Sequence, residues 1–80
     1  MSRPEEDSNI RPGDIIVRAV PGGSHRIERV QRDGQHAHVL GFQVNRDSAM
    51  MEACKFAGQE HRVFVFPDAS SDTYNTVKCP

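Results

Sequence analysis

The chain has 80 residues, 36% hydrophobic and 26% charged, the composition of a single globular domain with a thin core. A formal net charge of -1 excludes an overall basic field for nucleic acid. No run approaches the ~18 apolar residues of a membrane span.

Residues 1–11 carry Pro4, Glu5, Glu6 and Asp7 without apolar periodicity. They read as a disordered N-terminal arm, with 12–80 as a single small domain. The opening "MSRPEEDSN" is acidic and holds no apolar stretch of the secretory kind, so the expected location is the cytosol. Cys54 and Cys79 have no CxxC partner, and in a reducing compartment they are expected as free thiols. A bridge from helix to C-terminus is geometrically open to them.

After the turn-like "RPGD" (11–14), the β-branched "DIIVRAV" (14–20) reads as a strand. "PGG" (21–23) is a turn and "SHRIERVQ" (24–31) a second strand. "RDGQ" (32–35) is a hairpin signal, leading into "HAHVLGFQV" (36–44) as the third strand. The period then changes. "RDSAMMEACKFAGQ" predicts a helix with Asp47 or Ser48 as N-cap and Gly58 as C-cap. Its apolar face carries Ala49, Met50, Ala53, Phe56 and Ala57. "HRVFVF" (61–66) is a strand stopped by Pro67, "PDASSD" a loop, and "TYNTVK" (73–78) a short last strand. The fold class is α+β, in the order β-β-β-α-β-β. A three-stranded antiparallel meander is followed by one helix on one face of an antiparallel sheet, then by one or two further strands.

Turn chemistry sets a register. A two-residue Asp33-Gly34 turn opposes Arg29 to His38, Ile27 to Leu40 and His25 to Phe42. A three-residue "PGG" loop pairs Val20 with Ser24 and sets Val17 beside Ile27. Directly opposed residues share a side, so one face gathers Ile15, Val17, Ala19, Ile27, Leu40 and Phe42, and is expected to receive Ala53 and Phe56. Gly41 reads as a bulge or a point of close backbone approach.

The opposite face is more aliphatic than a purely solvated one. Val20, Val30 and Val39 are candidate contacts there for a protein partner or for self-association. Arg18, Arg26 and Arg32 share that face and form a candidate patch for phosphate or an acidic partner, although no exposed aromatics interleave with them. The third constellation is His36 and His38, two apart on a strand and chemically suited to Zn, Cu or Ni. Arg29 across from His38 opposes a cation, and a structural zinc site needs four ligands. Catalysis finds little footing: Cys54 lies mid-helix near the apolar stripe, away from an activating helix N-terminus. "PGGS" leads into a strand, whereas phosphate cradles lead into a helix.

From Gly41 onward, "GFQVNRDSAMMEACKFAGQEHRVFVFPDASSDTYNTVKC" resembles a type of small bacterial domain of unknown function. Such domains run strand, strand, alanine-faced helix, then a short strand ending in a glycine- or aspartate-rich turn. The matching features are Asp47-Ser48, Ala49 with Ala53, and "RVFVF" followed by Asp68, over about half the chain. The front departs, with "HRIERV" where the related domains have an aromatic-led strand. The order of elements also resembles the partial RNase-H-like antitoxin domains, whose early Tyr and "PDLPG"-like segment are absent here. Neither resemblance implies a catalytic residue or a cofactor. The resulting expectation is a non-enzymatic binding or regulatory module acting through its sheet face, as a homodimer. A nucleic-acid-contacting accessory protein and a metal-binding protein are the alternatives, and no small-molecule substrate or membrane partner is indicated.

Overall fold

A computed structural model describes residues 10–33, 36–67 and 73–79. In chain order it contains β1 (Ile15–Ala19), β2 (His25–Val30), β3 (Ala37–Gln43), α1 (Arg46–Ala57), β4 (Val63–Phe66) and β5 (Asn75–Val77). The fold is α+β in the expected order, with both C-terminal strands formed. The strands make one sheet in the order β3-β2-β1-β4-β5. β4 lies parallel to β1 while the other neighbours are antiparallel, so the sheet is mixed and not the antiparallel one expected. The reason is the crossover: α1 carries the chain back over the sheet, and a strand entered that way runs parallel to the one it left.

The first hairpin has the expected register. Val17 opposes Ile27, and the Val20 amide donates to the Ser24 carbonyl at 3.0 Å. The second follows its expected register only from Val30↔Ala37 to Glu28↔Val39. A bulge then inserts Leu40, and beyond it Ile27 opposes Gly41 and Arg26 opposes Phe42. One extra residue moves everything after it to the other face. Phe42, expected in the core, is therefore 57% exposed on the far side, while Leu40 still packs inward. The Asp33-Gly34 turn runs outside the described residues at Gly34 and Gln35, as does the whole "DASSD" segment at 68–72.

Asn45, two residues before Asp47 and three before Ser48, caps α1 in place of either. Its Oδ1 accepts from the Asp47 and Ser48 amides at 2.8 and 3.2 Å, and Gly58 closes the helix. Ala49, Ala53 and Ala57 lie on one stripe and are buried against Ile15, Val17, Ile27, Val63 and Val65. These small side chains let the helix sit close to the sheet. Phe56 falls at the margin of that stripe and is 39% exposed, contrary to expectation. Its carbonyl, at the end of the helix, accepts from Arg29 Nη2 at 2.9 Å.

A second, smaller cluster lies on the opposite face: Ile10, Ile16, Val30, Phe64 and Phe66, with Tyr74 packed against it. Ile10 belongs to the stretch read as an arm, yet it is buried. Cys54 and Cys79 form a disulfide across a separation of 25 residues, correcting the expectation of free thiols. Once the last strand docks on β4, the helix and the C-terminal residues lie close enough for the bridge, with Cα atoms 5.6 Å apart.

Candidate functional site

The sheet face opposite α1, the outer face, gathers most of the chemistry. Two rows of side chains cross it. One runs Phe64, Ile16, Glu28, Val39, and the next runs Phe66, Arg18, Arg26, Phe42. Each row starts apolar, becomes charged and ends apolar.

At the β4 end the aromatics are closed in. Tyr74 packs edge-on against Phe64 with ring centroids 5.3 Å apart, and it touches Phe66 at the same separation. In the middle Glu28 is buried, its Oε2 2.8 Å from Arg26 Nε and its Oε1 3.9 Å from Arg18 Nε. The Arg18 guanidinium also lies 4.3 Å from the Phe66 ring centre, a cation–π contact that fixes it over the closed half. At the β3 end the face is open. Val39 and Phe42 are 42% and 57% exposed there, and Val44, in the bend just past the strand, is 87% exposed.

The residues singled out in the sequence divide accordingly. Arg18, Arg26 and Val39 come together around Glu28. Val30 does not join them, because it is 2% exposed in the cluster containing Ile10 and presents no contact surface. Val20 lies half-buried at the first turn. Arg32 sits in the turn after β2, six positions beyond Arg26, or roughly 20 Å along a strand. The arginine patch is therefore split, and its larger part shares one buried carboxylate. Phe42 lies on the face opposite to the expected one, and Gly41 carries the signal: a bulge there reverses every residue that follows.

The two histidines are not brought into one site. The His36 ring Nδ1 and backbone amide both engage the Asp33 carboxylate. His38 instead opposes Arg29 on the helix side. Among the described residues, no group of three or more His, Cys, Asp or Glu side chains is placed to hold a metal ion.

A polar cleft of about 370 Å³ lies at the other end of the molecule, lined by Arg11, Pro12, Asp14, Glu60, His61 and Arg62. Asp14 is buried at its base. Its Oδ2 accepts from the Arg11 amide at 2.9 Å and its Oδ1 from the Arg62 amide at 3.0 Å. His61 Nδ1 is 3.7 Å from the same carboxylate, and its ring occupies the space a side chain at Gly13 would need. Gly13 has φ +94, a conformation open mainly to glycine. The carboxylate thus pins the entry to β1 against the entry to β4. Among the described residues lining the cleft there is no serine, threonine or cysteine.

Compared with protein-family models, with curated proteins and with solved structures, the chain matches none. No helix among the described residues is long and apolar enough to cross a membrane.

Proposed function

We propose that this chain is a small non-enzymatic binding module that takes a protein partner on the β3 side of its outer sheet face. The observation that carries the reading is the open group Val39, Phe42 and Val44, on and just past an edge strand. It is bordered by the Arg26–Glu28–Arg18 ion-pair cluster. An apolar centre with a charged rim is the usual anatomy of a protein interface. Nucleic-acid contact has less support, since Glu28 offsets Arg18 and Arg26 and separates them in effect from Arg32. The resemblance to small bacterial domains is in keeping with such a module but assigns it no partner.

Location belongs to the same reading. A cytosolic chain is consistent with it only if the Cys54–Cys79 bridge is open, because cytosolic thiol pools keep most cysteines reduced. With the bridge closed, an oxidising compartment is the consistent place.

A photo-crosslinking amino acid at position 42, introduced in the native cell, tests the surface against the same probe at the exposed Lys55 on α1. The expected result is one discrete adduct from position 42 and none from position 55. Adducts from both positions, or only from 55, contradict the reading.

A further inference from the structure

The open group lies on an edge, and the edge has an unusual composition. β3 is the long outer strand of the sheet, and Ala37–Gln43 contains no Asp, Glu, Lys, Arg or Pro. Exposed edges are normally blunted by such residues, because their unpaired backbone groups otherwise template pairing with another chain. The opposite edge, β5, is only three residues long, and the chain just beyond it is tied to α1 by Cys79.

A bulge is another common protection, since it bends an edge away from partners. Here it acts in the other direction on composition. By inserting Leu40 it brings Phe42 onto the face already holding Val39. This has a consequence for symmetry. Directly opposed residues share a side, so a regular strand pairing antiparallel with its own copy opposes residues whose positions differ by an even number. The bulge breaks that parity at its centre. With a two-fold axis between Leu40 and Gly41, Val39 opposes Phe42 of the second copy. Both residues lie on the outer face, so the pair is apolar there. On the helix face His38 opposes Gln43, a polar pair. At the axis itself Gly41 presents no side chain, and there is open space where one would be.

The flanks are electrically neutral: antiparallel pairing brings the Arg32–Asp33 end of one copy toward the Arg46–Asp47 end of the other, and neither pair carries a net charge to oppose the approach. We propose that the partner of this surface is a second copy of the chain, added antiparallel at β3 so that two five-stranded sheets become one. This rests on the binding reading above and names its partner; an unrelated extended peptide would take the same edge without the two-fold Val39–Phe42 pairing.

The test is sedimentation velocity of the full chain, with the bridge intact, over a wide concentration range. The wild type is expected to pass from monomer to dimer. Phe42→Lys should weaken the dimer by at least ~30-fold, whereas Lys55→Glu should leave it unchanged. Val39→Glu should weaken it as well, and the Val39→Glu/Phe42→Lys double variant should recover part of the loss, because positions 39 and 42 face each other across the axis. Circular dichroism of each variant confirms that folding is retained. A dimer indifferent to Phe42→Lys overturns the proposal, as does a Val39→Glu/Phe42→Lys double variant no better than its single variants. A chain monomeric at every concentration, yet crosslinked from position 42 to a different protein in cells, refutes the second copy and leaves the binding surface standing. A monomer with no adduct from position 42 refutes both.

Discussion

Opening the Cys54–Cys79 bridge is expected to lower the unfolding free energy by about 3.5 kcal/mol. The figure follows from loop closure: the bridge spans 25 residues and removes that much conformational freedom from the unfolded chain. A domain of this size has a total stability of only about 4–12 kcal/mol, so the bridge is a large share of it. The loss should appear as a fall of roughly 15–25 °C in Tm for Cys54→Ser/Cys79→Ser or for the thiol-reduced protein. It should be concentrated at the C-terminus. β5 has three residues and only Val77 among them packs on the core, so without the tether its amides should exchange first. Equal Tm values for bridged and reduced protein would show that the bridge is incidental to the fold. Alkylation of thiols at the moment of lysis reports which form the cell holds, and hence which compartment is consistent with it.

The second large effect is expected at Asp14. Both of its oxygens are committed to backbone amides, one at Arg11 and one at Arg62. Asp14→Ala leaves two amides without their acceptor in a part-buried site, at a cost of about 2–4 kcal/mol. Asp14→Asn keeps one acceptor and should cost about half as much. The consequence extends beyond stability. Arg11 follows Ile10, which is buried in the cluster with Ile16, Val30 and Phe64. Releasing the Arg11 amide loosens Ile10 and uncovers the closed half of the outer face, so that the open half no longer ends at the charged row. Denaturant titration measures the first effect, and binding of a hydrophobic dye to the native variant measures the second. A stability loss under ~0.5 kcal/mol would mean that water replaces the carboxylate without difficulty.

Much of the architecture is written in local signals. The "PGG" loop set the register of the first hairpin, and the alanines of "SAMMEACKFAG" marked the face of α1 that meets the sheet. "VFVF" was legible as a strand, and its lack of alternation is what burial on both faces looks like. That burial is achieved because β4 lies beside β1 in the middle of the sheet, a placement decided by the crossover and not by any local feature. The candidate site was harder to see for a single reason. Its position depends on one inserted residue at Leu40, and hairpin arithmetic propagated past that point puts Phe42 in the core. Arg18 and Arg26 lie on the outer face, Arg32 in the turn after β2, and the partner Glu28 lies two residues from Arg26, a spacing that puts both on one face of the strand. A long-range contact hid Val30: nothing near it announces that Ile10, twenty residues earlier, belongs to the same buried cluster. The disulfide was missed because compartment, rather than geometry, governed the expectation.

The central claim is that the chain meets its partner, a second copy, along β3. Residue-resolved amide exchange at low and high protein concentration addresses it most directly. The account predicts that amides from Val39 to Val44 become slower as concentration rises, while those of α1 and β5 hold constant. Exchange along β3 that is equally fast at every concentration, or concentration-dependent protection confined to α1 or β5, would contradict it.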